Sequence, residues 1–279
     1  AMAGLSRLDM VHVARAPIDP AEMLPAVAQG AIVMLGNDPL GNAANPTPLG
    51  LPWVLEDYAA LLAQEGYPLA ITHAFGTTTL TEKPQRVATV NSGNHEVPLA
   101  LGVVPVGMAA ANYGDDNGDG LLPWVAERLE ELGAPTPVLF DEGDGIDFEA
   151  VAATEPDVIL AAYSGLSRAD YDTLSQIAPV VAFPESAWTT EWRQMIRLNS
   201  AGMGMAAEGE ALVARMEARI AETVARHPQL AGKTAMFVTH LDSTNLSVIN
   251  FYSAHDTRVK FFRDLGLAMP RSVTEATQP

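Results

Sequence analysis

The chain contains no cysteine. That absence removes disulfides, thiolate metal sites and cysteine nucleophiles together. It is compatible with an exported chain that needs no oxidative folding. Basic residues are scarce: 16 Lys and Arg stand against 34 Asp and Glu, a formal net charge of −18. Nucleic-acid binding needs a basic face to neutralise phosphates, so this balance argues against it. The same charge favours solubility and disfavours a polyanionic ligand unless cations gather locally. No run approaches the roughly 18 consecutive apolar residues of a membrane span. Ala1-Met2-Ala3-Gly4 lacks the charged and apolar regions of a secretory leader. Either cytoplasmic residence or a processed form fits that start.

Catalytic signatures are missing as well. There is no G-x-S-x-G elbow and no P-loop. The six histidines, at 12, 73, 95, 227, 240 and 255, show neither HExxH nor H-x₃-H spacing. His95 and His240 could share a cleft, but a zinc site wants about three nitrogen ligands and a carboxylate. No directly coordinated metal is therefore expected. Gly202-Met203-Gly204-Met205-Ala206-Ala207 imitates a dinucleotide fingerprint, yet the preceding EWRQMIRLNSA is charged and helical where a strand is required. Two glycines breaking a helix explain it better. Asp115-Asp116-Asn117-Gly118-Asp119-Gly120 imitates the start of a calcium loop. Its twelfth position is Ala126, and Glu127 falls one residue late. The bland reading is an acidic turn with Asp119 as a helix N-cap. The adjacent acids Asp141-Glu142 read as solvated loop charge.

What the chain does have is a core: 48% of its 279 residues are hydrophobic. Short apolar runs alternate with amphipathic stretches. Strands are expected at 10–14, 31–35, 86–91, 103–108, 137–140, 157–162, 179–183, 233–240 and 246–251. Helices are expected at 21–29, 51–64, 94–101, 121–133, 147–154, 167–177 and 256–265. That alternation implies βαβ units and parallel sheets. Ile71–Leu80, with Gly76 in the middle, reads as a hairpin. From Thr189 to His227 strand signals stop. Leu212, Met216, Ile220 and Val224 repeat at helical spacing, which predicts a long helix after a shorter one ending near Gly202 and Gly204. The expected fold is α/β: two Rossmann-like lobes joined by a long rigid helix, with a ligand cleft between them. The first lobe spans 68–187 and the strut 188–227. Too few residues follow 228 to cover a second sheet, so 228–279 and 1–50 together would form the second lobe. Residues 51–67 would be a closing helix and the junction of the original termini, a circularly permuted order.

Several stretches resemble the substrate-binding proteins of iron–siderophore ABC transporters, the helical-backbone class that includes haem and corrinoid binders. They are ITHAFGTTTL-TEKPQRVATV, NHEVPLALGVVPVGM, DFEAVAATEPDVILAAYSGLSRADYDTLSQIAPVVAF and the W-T-T-E-W that precedes the long helix. Residues 20–64 resemble the C-terminal end of that family, again in permuted order. The resemblance implies an extracytoplasmic receptor, in the periplasm or held by a lipid anchor, that captures a ferric siderophore and delivers it to an ABC permease as a monomer. It implies no intrinsic cofactor and no catalysis. A haem or corrinoid binder of the same class is the alternative, and an α/β enzyme a more distant one.

Ligand contacts are expected where loops leave the strand ends. The candidates are Asn94, His95, Tyr113, Tyr163, Trp188, Trp192 and Arg193, with His240, Tyr252 and Asn45 from the second lobe. Aromatic rings give flat apolar contact with a polar tip, and Arg can pair with chelating oxygens. Between residues 87 and 192 the only cations are Arg128 and Arg168. Ferric tris-catecholates carry about three negative charges and would want several clustered cations. Hydroxamate or mixed chelates are therefore favoured. By the same resemblance Glu149, at the start of the helix before the "PD" strand, would dock on the permease. Its second-lobe counterpart would lie near Ala1, where no carboxylate stands.

Overall fold

The structure, a computed structural model, describes residues 67–239 and 249–277. By its internal contacts the chain divides into two units, residues 1–69 with 79–83, and residues 70–78 with 84–279. The first described element is the hairpin of β1 (Leu69–His73) and β2 (Gly76–Leu80), as its sequence predicts.

The second unit is built on a five-stranded sheet. Its strands are β3 (Val87–Thr89), β4 (Gly107–Ala109), β5 (Val138–Phe140), β6 (Val158–Ala161) and β7 (Val180–Ala182). The order is β5-β4-β3-β6-β7, and every pair is parallel. Ala88 sits opposite Ile159, and Leu160 opposite Val181. The three inner and flanking runs VAT, VILA and VVA are buried throughout. Unbroken apolar runs of this kind belong to parallel strands covered on both faces. The covering helices are α1 (Glu96–Ala100), α2 (Pro123–Glu131), α3 (Phe148–Ala153) and α4 (Arg168–Leu174). Asp147 caps α3 by accepting from the Ala150 amide, and Ser167 with Asp170 forms a capping box on α4. One core layer gathers Phe140, Val151, Ile159, Leu174 and Val180; another gathers Leu99, Met108, Leu121, Val125 and Leu129. Gly107 is glycine because a Cβ there would enter the Phe140 ring. The strand order reverses between β3 and β6, so a crevice opens at the carboxyl ends of these strands.

Helix α5 (Trp192–Gly202) and helix α6 (Ala206–Arg226) follow as expected. With 21 residues α6 is about 30 Å long. Gly204 adopts φ +66° at the break. The dinucleotide-like glycines thus lie between two helices, with no strand before them. Gly209 packs directly on the Ser200 side chain, which lets α6 approach α5 closely.

Two expectations need correction. The strands at 233–240 and 246–251 shrink, among the described residues, to isolated bridges: Thr234 with Ala268 in parallel and Val238 with Phe251 antiparallel. Phe237, Val238 and Ile249 are 40%, 41% and 45% exposed, so these apolar side chains lack the covered face that stabilises a strand. Helix α7 (Thr257–Asp264), capped by Asp256, matches the pattern at 256–265, whereas the short α8 (Arg271–Ala276) was not anticipated. The strands at 10–14 and 31–35 and the helices at 21–29 and 51–64 lie outside the described residues. No helix among the described residues is long and apolar enough to cross a membrane.

Candidate functional site

A cavity of about 340 Å³ opens beyond the ends of β3, β4 and β5. Its walls come from Asn91, Ser92 and His95 after β3, from Ala110 to Tyr113 after β4, and from Glu142 after β5. Leu121, Leu122 and Val125 add apolar surface, and Trp188 closes one side.

A hydrogen-bonded frame holds this wall. Asn91 adopts φ +59°, a left-handed conformation that Asn tolerates better than most residues. Its backbone amide donates to both Glu142 oxygens at 3.0 Å, and its Nδ2 donates to Glu142 Oε2 at 2.8 Å. The Asn91 Oδ1 accepts from the Gly165 amide at 3.1 Å. Trp188 is also left-handed, at φ +61°, and its amide donates to the Ser164 carbonyl. Such conformations cost about 1–3 kcal/mol and persist where the surroundings enforce them. Here the enforcement is visible. The Trp188 indole lies on Gly165, where any Cβ would collide with it, and Tyr163 meets it edge-on at 5.3 Å. Trp188 remains 46% exposed, a ring presented rather than buried.

Two ionisable groups sit in the cavity wall. His95 is buried, its Nδ1 has no hydrogen-bond partner, and desolvation pulls its pKa down to about 4. It is neutral at physiological pH. Burial pushes the Glu142 carboxyl up, against the opposing pull of its Asn91 bonds. Among the described residues no Lys or Arg lines the cavity.

The sequence candidates separate into groups. Trp188, His95 and Tyr113 line one cavity, Tyr163 supports Trp188 from behind, and Tyr113 is 95% exposed at the rim. Asn94 is fully buried, and its side chain is already bonded within the protein. Its Nδ2 donates to the carbonyls of Val90 and Tyr163, while its Oδ1 accepts from the Tyr163 amide and Asn199 Nδ2. These bonds brace the loop between β3 and α1. Trp192 and Arg193 lie elsewhere, against α7. Trp192 Nε1 donates to Asp264 at 2.8 Å, Arg193 makes a two-pronged pair with the same carboxylate and another bond to Glu217, and its guanidinium stacks on Trp192 at 4.3 Å. Tyr252 lies under the Arg258 guanidinium beside Phe237, away from the cavity lining. Glu149 is exposed on the first turn of α3. His240 and Asn45 lie outside the described residues. Among the described residues no three His, Asp or Glu side chains gather as a metal site. In the calcium-like loop Asp115 accepts instead from the amides of Asn117, Gly118 and Gly120, which hold its carboxylate below the usual range.

Glu142 is a charged wall residue that the sequence reading passed over. Asp141-Glu142 reads as solvated charge by its adjacency to another acid. Its position directly after β5 was the available signal, because that rule places side chains in the crevice.

The periplasmic binding protein family model matches residues 87–271. The chain belongs to that family. It resembles the crystal structure of PiaA from Streptococcus pneumoniae in complex with ferrichrome, with a TM-score of 0.70 and 45% identity, covering 74% of this chain and 69% of that one. It is 26% identical over 172 residues to a probable siderophore-binding lipoprotein of Bacillus subtilis, YfiY, covering 61% of this chain. It spans about half of that relative's length, 49%. A separate match of 32 residues, 72% identical to porphobilinogen deaminase of Paracoccus denitrificans, covers 12% of this chain and 10% of that enzyme. The mixed α/β architecture with its parallel sheet agrees with the family.

Proposed function

We propose that this chain is the binding component of an iron-uptake system: it captures a ferric siderophore of the hydroxamate type outside the cytoplasmic membrane and presents it to an ABC permease. The observation that carries the reading is the cavity at the strand ends, walled by Trp188 and apolar side chains and, among the described residues, free of Lys and Arg. A compact, neutral organic chelate suits such a wall, whereas a polyanionic one lacks partners. Likeness to a ferrichrome-bound protein supports the same ligand chemistry. Among the described residues Ser92 and His95 both line the cavity with no hydrogen bond between them, and the reading assigns the cavity binding rather than bond-making. In this reading Trp188, Tyr163 and Tyr113 form the aromatic face, and Glu149 meets the permease. The two-lobe organisation, with 228–279 and 1–50 sharing a lobe across the α5–α6 strut, and the monomeric state belong to the same proposal.

Tryptophan fluorescence during titration with ferrichrome, a ferric tris-catecholate, haemin and cobalamin tests it. Saturable quenching by ferrichrome at submicromolar concentration is expected. Saturation by haemin or cobalamin alone would move the assignment to a haem or corrinoid carrier.

A further inference from the structure

Among the described residues, the ionisable groups in the cavity wall besides the rim tyrosine Tyr113 are His95, which is neutral, and the Glu142 carboxylate. The carboxylate is the unusual one. Its two oxygens receive two donors, both from Asn91. These three bonds leave part of a carboxylate's roughly four acceptor positions open to a further donor. It has no salt-bridge partner among the described residues: the cations that carry carboxylate pairs hold other acids, as Arg128 holds Glu131 and Arg193 holds Asp264. The remaining sequence offers little relief, since no Lys or Arg occurs from 16 to 82 or from 240 to 257. Burying a carboxylate without a counter-charge is costly. The Asn91 bonds hold it in the cavity wall, where a cation that enters meets it in a poorly solvated setting that weakens screening between the two charges. Trp188, which lines the same cavity with nearly half its surface open, supplies the other element of a cation site, an aromatic face.

We propose that the cavity prefers a ferric hydroxamate of net positive charge, with a protonated amine of the ligand seated against the Glu142 carboxylate and the Trp188 ring. This rests on the siderophore reading above and sharpens it: the iron-binding groups bring the ligand in, and a pendant ammonium sets the preference among them.

Ferrioxamine B, which carries one pendant ammonium, and its N-acetyl derivative, which lacks that charge but keeps the same iron coordination, are the probes. The wild-type protein is expected to bind the amine form about tenfold more tightly than the acetylated form. In Glu142→Gln the ratio of the two affinities should fall to within about twofold, whatever the absolute affinities, because Gln keeps an oxygen for the Asn91 amide but carries no charge. Equal binding of both probes by wild-type protein overturns the proposal while leaving the siderophore reading intact. Equal loss of both probes in Glu142→Gln also overturns it, and makes Glu142 a brace for Asn91 only. If neither probe nor ferrichrome binds, the parent reading falls with it. The wild-type comparison decides the matter even where the variant folds poorly.

Discussion

His95 is held neutral by its surroundings, and that has a measurable consequence. Its folded pKa is about 4, lowered by burial, against about 6.5 in an unfolded chain. Between those values the unfolded state binds more protons than the folded one. The stability linked to His95 is therefore complete above about pH 6.5 and is lost as pH falls toward 4, by roughly 3 kcal/mol in total. His73 also has a lowered pKa, its Nδ1 accepting from the Phe75 amide, so wild-type protein alone would mix two contributions. The difference between wild type and His95→Gln isolates one. Urea midpoints across that pH range should converge at the acid end, and parallel curves would show that His95 is not desolvated in solution. At Trp188 the expectation reverses, because the ring is half open. Trp188→Ala should weaken ferric hydroxamate binding by about 1–3 kcal/mol, as for an aromatic anchor. The urea midpoint should barely move. Gly165→Ala checks the same contact from below: its methyl displaces the indole, so affinity should fall while circular dichroism stays unchanged.

Among the elements, the turn between β3 and α1 depends on one side chain. Asn94 joins that turn to the loop after β6 and to Asn199 on α5, through four hydrogen bonds in a fully buried setting. Asn94→Ala leaves two backbone carbonyls and an amide without partners, which should cost about 2–4 kcal/mol in urea unfolding. Binding should weaken only through displacement of Tyr163. A fully stable variant with lost affinity would return Asn94 to direct ligand contact. This residue also shows where reading from sequence stops. Strand β6 was legible because VILA is apolar without interruption, and α6 because Leu212, Ile220 and Val224 recur on one face. The helix break was legible from its glycines. A polar residue just past a strand end, however, looks the same whether it faces a ligand or its own backbone. For that reason neither the bonds of Asn94 to its own backbone nor the place of Glu142 in the cavity wall was legible, and Arg193 is held by Asp264, some seventy residues away in sequence, which no local pattern reveals. Among the described residues of the strands expected at 233–240 and 246–251, pairing stops at isolated bridges for a related cause: alternation of apolar residues marks a capacity to pair, and pairing needs a partner strand.

At the scale of the whole molecule, electrostatics is decided by distribution as much as by total. The formal charge is −18, yet most described arginines that make ion pairs do so with acids close by in sequence, as in Arg168–Asp172, Arg258–Asp256 and Arg271–Glu275. Such exposed pairs contribute little stability and leave few cations free to gather at a site. The field around the cavity is thus negative, with a carboxylate in its wall. An incoming neutral chelate meets no net force in that field. An anionic one is repelled at long range, and added salt screens the repulsion. The affinity for ferrichrome should therefore change by less than about twofold between about 0.02 and about 0.5 M NaCl. A ferric tris-catecholate should bind weakly or not at all at low salt, and more tightly as salt rises. Isothermal titration in both buffers measures each dependence. If the catecholate instead bound tightly at low salt and was released by high salt, a cluster of cations would have to face the ligand, contrary to the wall of this cavity.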